Sequence, residues 1–143
     1  MNGCGEGAIE KDTVFNNDND SLTQFILSGN IHALRFAIEN EKLDALDKIK
    51  KSGYDFQYLQ YMIHIAAIGG RINILDWFKK SGYEILCKAE TIDCTSRNGH
   101  MSVLEWFKNN SIDFKYTQLA IDWASENGHN DVLNWFKNNG YGN

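Results

Sequence analysis

Trp77, Trp106 and Trp135 stand 29 residues apart, and the chain around them repeats with them. The three copies read GGRINILDWFKKSGY (69–83), NGHMSVLEWFKNNSI (98–112) and NGHNDVLNWFKNNGY (127–141). The same interval relates Gly70, Gly99 and Gly128, and also Lys50, Lys79, Lys108 and Lys137. A degenerate earlier copy, NEKLDALDKIKKSGY (40–54), keeps the register. A fixed period of this length is the mark of a stacked array, in which a unit buries its apolar face only against its neighbours.

Each copy reads as two helices. In VLEWF (103–107) apolar residues fall at i, i+1, i+3 and i+4, one wide helical stripe. This second helix runs into Lys and then Asn, Ser or Gly, as a helix C-terminus should. The first helix is expected over roughly 60–68, 89–97 and 118–126. It carries small pairs, Ala66–Ala67, Thr95–Ser96 and Ala124–Ser125, that let helices approach closely. The glycine between the two helices is expected to supply a turn conformation closed to most residues. The fold expected is all-α, a solenoid of four helix-turn-helix units over about 31–58, 59–87, 88–116 and 117–143. LRFAIE (34–39) belongs to the first of them. Ahead of these, SLTQFILSGN (21–30) reads as a capping helix, with Ser21 as N-cap and Gly29 as its stop. Residues 1–20, rich in Gly, Asn and Asp, read as a mobile arm in which AIEKDTVF (8–15) could dock. In the last copy Asn130 replaces Ile72 and Met101, and Asn134 replaces an acid. A more polar outer face suits a terminal cap, so the array is expected to end here; the other reading is a piece of a longer array.

Composition narrows the function. Fourteen Lys and Arg against nineteen Asp and Glu leave a net charge of -5. Clustered positive charge is what a phosphate backbone needs, so nucleic acid is not the expected partner. No apolar run approaches the roughly 20 residues that span a bilayer, and the first residues lack the basic-then-apolar order of a secretory signal. No membrane role is expected. Cys4, Cys87 and Cys94 are an odd count in a chain with ample apolar material, which favours free thiols and an intracellular, reducing setting.

YMIHIAAIGGRINILDWFKKSGY (61–83) resembles the ankyrin repeat, T-P-L-H-x-A-A-x-x-G-H followed by an apolar helix and x-G-A. His64, Ala66, Ala67, Gly70 and Gly82 fall at the family's positions, Ile63 takes the Leu position, and His100 and His129 match the G-H pair. The resemblance covers about 31–143. IDWASENGHNDVLNWFKNNGY (121–141) is similar to the short ankyrin repeats of giant amoeba viruses of the mimivirus type, and sixteen Asn with no Pro agree with that group. Two features depart from the family. The period is shorter than the family's roughly 33 residues, so the β-hairpin finger between repeats is expected to be shortened or absent. The Thr-Pro opening is replaced by Tyr61–Met62, Glu90–Thr91 and Leu119–Ala120. The resemblance implies a viral module in the host cytoplasm that captures a host protein; sometimes such capture serves a ubiquitin ligase, but no ligase-recruiting domain is visible. It also implies that His64 is structural, hydrogen-bonding backbone between neighbouring repeats.

The four His do not form the three or four convergent ligands that zinc sites need, so no metal is expected. Cys87 and Cys94 read as small buried residues. Ser96 and His100, and Ser125 and His129, are i,i+4 pairs with Asp93 and Asp122 nearby, but a nucleophilic site recurring in two copies points to scaffold. No phosphate-cradling glycine loop is present, and neither cofactor nor catalysis is expected. The Lys ladder is read as charge complementing each second helix's own C-terminal dipole. The Trp ladder, beside Phe78, Phe107 and Phe136, is read as core, as is Trp123, whose counterparts are Ile65 and Cys94; facing a partner is the other reading of Trp123.

Recurrent positions build the array, so variable positions at one register are candidates for recognition. Ile68, Arg97 and Glu126 share a register near the end of the first helix. Gln60, Ala89 and Gln118 share one near its start, and Gln57, Leu86 and Lys115 share one in the loop. Tyr61 and Glu90 flank them. Phe56, Ile85 and Phe114 are apolar in every copy and are assigned to the core. In the ankyrin family first helices and loops line a concave groove, and the resemblance implies that Gln57, Gln60, Tyr61, Ile68, Leu86, Glu90, Arg97, Lys115, Gln118 and Glu126 are its counterpart. The competing reading of these positions is neutral surface. The expected function is non-catalytic binding of a protein partner. The alternative is a self-associating unit, a weak homo-oligomer that stacks through an exposed repeat end.

Overall fold

The computed structural model describes Cys4 and residues 19–141. Nine helices follow one another among the described residues: α1 (Asn19–Leu27), α2 (Ile31–Glu39), α3 (Leu43–Lys51), α4 (Leu59–Ile68), α5 (Ile72–Lys80), α6 (Ala89–Arg97), α7 (Met101–Asn109), α8 (Gln118–Glu126) and α9 (Asn130–Asn138). They contain no strand. Most are nine residues long, below the roughly 12–15 at which an isolated helix becomes even marginal in water. Packing therefore holds them. Helices α2, α4, α6 and α8 pack in succession as one layer, and α1–α3, α5–α7 and α7–α9 pack in the other. The chain is an all-α array of helix pairs. Helix α1 occupies the second-layer place ahead of α3. It begins at Asn19, so Ser21 lies inside the first turn rather than at the N-cap.

The helix ends explain the period. Every pair closes twice with the same hydrogen-bonded turn, a residue in the left-handed region followed by an N–H that reaches five residues back. After the first-layer helices the bonds are Lys42 N–H to Ala37 O, Arg71 N–H to Ala66 O, His100 N–H to Thr95 O and His129 N–H to Ala124 O. After the second-layer helices they are Tyr54 to Ile49, Tyr83 to Phe78, Ile112 to Phe107 and Tyr141 to Phe136. Tyr54, Tyr83, Ile112 and Tyr141 then pack on the core, which fixes the exit of each loop.

The core runs the length of the array between the two layers. Phe78, Phe107 and Phe136 are its fully buried ladder, with Ile49 at their register in α3. Phe56 is buried, and Ile85 and Phe114 pack against the core from the loops, as the pattern predicts. The small pairs lie at the first-layer contacts: Ala66, Ala67, Thr95, Ser96 and Ala124 are fully buried. Ser125, on the last first-layer helix, is exposed.

The expectation of three free thiols is overturned. Cys4 and Cys94 form a disulfide across 90 residues of sequence, and Cys87 alone is free and buried. The expectation of a mobile arm falls, apart from Cys4, Asn19 and Asp20, outside the described residues, as does docking of residues 8–15. Asn19 and Asp20 belong to α1, and Cys4 is fully buried.

Candidate interaction surface

The recurrent polar residues are consumed by bonds between successive pairs. Trp77 Nε1 donates to Asp47 Oδ1 at 2.7 Å, Trp106 Nε1 to Asp76 Oδ1 at 2.7 Å, and Trp135 Nε1 to Glu105 Oε2 at 2.5 Å. Each indole thus grips the acid that precedes the Trp register of the pair before it. In α3 the Trp register holds Lys48, and its ammonium pairs with Asp20 of α1 instead. The ladder is a chain of inter-pair bonds as well as core: Trp106 and Trp135 are buried, and Trp77 is half-buried.

The other ladders also cross pairs. A Cβ on Gly70 would lie 2.8 Å from His100 Nδ1, and one on Gly99 would lie 2.6 Å from the His129 ring. Both glycines have positive φ, so the G-H pair is a backbone turn with the next pair's imidazole seated on it. Lys50 Nζ donates to Ser81 O at 3.2 Å, and Lys108 Nζ reaches Asn139 Oδ1. Lys50 and Lys108 therefore serve the following pair's helix end, not only their own. His64 Nδ1 lies 2.8 Å from Thr91 Oγ1 of the next pair, a side chain rather than the backbone that the family resemblance implies. Burial holds the His64 ring below its usual pKa, with Glu90 raising it and Lys88 lowering it further. At the same register Asp93 is buried and takes both Thr117 N–H, at 2.8 Å, and Thr117 Oγ1. Ser96 Oγ is buried without a hydrogen-bond partner, so it is not bonded to His100.

The candidate recognition residues fall into two groups at opposite ends of the first-layer helices. The seven or eight residues from Gln60 to Ile68, Glu90 to Arg97 and Gln118 to Glu126 span about 10–12 Å of helix. At the loop end, Gln57, Tyr61, Leu86, Glu90, Lys115 and Gln118 are exposed. Tyr61 is 47% and Leu86 47% exposed, large values for such side chains. Leu119, which shares the Tyr61 and Glu90 register, is 44% exposed and was not singled out by sequence; its signal was the register itself. Leu86 and Lys115 come together on the walls of a surface groove of about 650 Å³, with Lys79, Lys88 and Asp113 beside them. Lys115 Nζ sits 3.7 Å from Asp113, an exposed pair of little energetic weight.

Gln60 belongs to the framework. Its Nε2 donates to Glu84 O at 2.8 Å and its Oε1 accepts from Leu86 N–H at 3.1 Å, so one amide brackets the next loop. Its counterpart Gln118 donates from Nε2 to Asp122 Oδ1 of its own helix, at 3.2 Å. Tyr61 OH accepts from Arg35 Nη1 at 3.3 Å, leaving its ring on the surface.

At the far end the assignment of Ile68 is corrected. It is 2% exposed, because Cys4 and Cys94 cover it with Trp123 packed alongside. Arg97 lies over the Trp123 ring, 5.7 Å from its centroid, and Glu126 is exposed. Among the described residues no group of three or more His, Cys, Asp or Glu could hold a metal ion, and no helix is long and apolar enough to cross a membrane. Comparison with protein-family models, curated proteins and solved structures finds no match to this chain.

Proposed function

We propose that this chain is an ankyrin-like repeat scaffold, without catalysis, that binds a protein partner through the loop end of its first-layer helices. The observation that carries the reading is the division of labour along one period. Recurrent Trp, acid, Gly and His positions are spent on neighbouring pairs, while Tyr61, Leu86, Glu90, Lys115 and Leu119, which differ from copy to copy, stand in solvent. Aromatic and apolar side chains set among charges are the composition of a binding-surface core. The ankyrin-like and viral kinship rests on the sequence resemblance, and the host cytoplasm follows from it.

The test is affinity capture from amoebal lysate with mass spectrometry, beside the variant Tyr61→Ala, Leu86→Ala, Leu119→Ala checked by circular dichroism and melting. None of the three side chains takes part in a bond between pairs beyond the Arg35–Tyr61 contact, so the variant is expected to fold. A protein held by wild type and lost from the folded variant is the expected result. Equal retention by both places recognition elsewhere. Capture of nothing by either ends the binding reading, and a concentration-dependent mass would then favour self-association.

A further inference from the structure

One junction of the array departs from its neighbours. Gln60 of α4 closes the gap to the loop after α5, its amide bonded to Glu84 O and Leu86 N–H. One period later the equivalent residues are Ala89, Asp113 and Lys115. A methyl group has no polar atom to offer either backbone group, and Lys115 N–H goes to Cys87 Sγ at 3.4 Å. The Lys ladder lapses at the same junction. Lys50 and Lys108 donate to the following helix end, at Ser81 O and Asn139 Oδ1. Asn110 is the equivalent partner for Lys79, and the two make no hydrogen bond. The start of α6 lapses as well. Its N-cap, Lys88, gives no side-chain acceptor, whereas Thr117 caps α8.

These lapses meet in the surface groove of about 650 Å³. Lys79, Lys88, Ala89 and Lys115 line it, and Asp113 is the one carboxylate of its lining. Lys115 Nζ is 3.7 Å from Asp113. Among the described residues Lys79 and Lys88 have neither a hydrogen bond nor an ion pair. A positive groove thus stands in a chain of net charge -5. Clefts lined by one sign of charge concentrate ligands of the other. The uncapped start of α6 adds to the preference, since a helix N-terminus favours negative charge. Ile85, Leu86 and Ile112 add apolar wall. A bare inorganic anion gains nothing from that wall, whereas a peptide with acidic and apolar side chains uses both.

We propose that this groove seats an acidic peptide segment of the partner, with carboxylates on Lys79, Lys88 and Lys115 and an apolar side chain against Ile85, Leu86 and Ile112. The segment takes the space left by Ala89, where one period earlier an amide closes the junction. This occupant names the chemistry of the partner and rests on the binding reading.

The probe is a short rhodamine-labelled peptide of alternating glutamate and leucine, with a glutamine–leucine peptide as its neutral match. Fluorescence anisotropy with the full chain is expected to show the acidic peptide bound about tenfold more tightly, and less tightly as salt rises. Lys79→Ala with Lys88→Ala is expected to weaken it by about tenfold. Lys51→Ala with Lys137→Ala makes the same change in net charge outside the groove and is expected to leave affinity unchanged. Ala89→Gln keeps every charge and restores the amide of the preceding junction, so it is expected to abolish binding. Circular dichroism checks that each variant is folded. No binding of the acidic peptide, equal affinity for both peptides, equal losses in the two lysine pairs, or undiminished binding by folded Ala89→Gln overturns the proposal. Inorganic tripolyphosphate that displaces the probe at a lower concentration than unlabelled peptide assigns the groove to phosphate groups and overturns a peptide occupant. If the probe fails while the Tyr61, Leu86, Leu119 variant loses a captured protein, the acidic seat falls and the binding reading stands.

Discussion

His129 rests where a side chain on Gly99 would have to be, and His100 does the same at Gly70. Two demands fall on these glycines, positive φ and empty space, whereas Gly82 has positive φ with nothing within 4 Å. Gly82→Ala is expected to cost about 1–2 kcal/mol for conformation alone. Gly99→Ala is expected to cost more, and in a His129→Ala background its excess over Gly82→Ala should vanish. Urea denaturation of wild type, the three single variants and the Gly99→Ala, His129→Ala double variant measures this; an undiminished excess would sink the seating of His129 on Gly99. Ser111 offers the reverse case. It holds the turn position filled elsewhere by Gly53, Gly82 and Gly140, at φ 57. Relief of left-handed strain, less the chain entropy of glycine, makes Ser111→Gly stabilising by about 0.5–1 kcal/mol, seen as a higher urea midpoint. These glycines were legible because they recur in phase. The imidazole above them was not, because the contact lies between copies, and a period shows which residues are equivalent without showing which meet.

At the scale of the helix, short elements are tied by bonds that skip a full period. The Trp106–Asp76 bond joins α7 to α5, and its carboxylate acceptor makes it one of the stronger kind. A double-mutant cycle with Trp106→Phe and Asp76→Ala is expected to give a coupling of about 1.5 kcal/mol. The same cycle between Asp76 and Trp135, which are not partners, should give none; equal couplings would deny the ladder its pairwise character. His64 ties α4 to α6 through Thr91, and its folded pKa is lowered, chiefly by burial. The unfolded chain then binds more protons than the folded one between that lowered value and about 6.5, so stability falls as pH drops through this window. Melting temperature should decline there, and His64→Gln should flatten the decline; an unchanged slope would remove His64 as its source. Helix positions were readable from apolar periodicity, and α4 to α9 lie close to where it puts them. The fates of Gln60 and Ile68 were not readable. An amide at a variable register looks free until the loop it brackets is in place, and Ile68 looks exposed until Cys4 covers it.

At the scale of the molecule, a stacked array has contacts only between neighbours, and its stability is close to a sum of local terms. The Cys4–Cys94 bond is the exception. It closes a loop of 90 residues that contains α1 through most of α6. Periodicity could not reveal it, since Cys4 lies outside every copy and Cys94 replaces residues that need no sulfur. An odd cysteine count argued for free thiols, yet one buried Cys87 is enough to make the count odd. Because the loop is long, the bond restricts the unfolded chain strongly, and its loss is expected to cost about 2–4 kcal/mol. Cys4 belongs to no helix, so Cys4→Ser removes the bond while leaving the hydrogen bonds between helix pairs in place. Reductant should therefore lower the melting temperature of wild type while leaving Cys4→Ser unmoved, and the two should coincide once wild type is reduced. A reductant effect of equal size in Cys4→Ser would mean that it acts elsewhere than on this bond. Coincidence would show that an array built from local contacts carries one long-range restraint, set by the redox state of its surroundings.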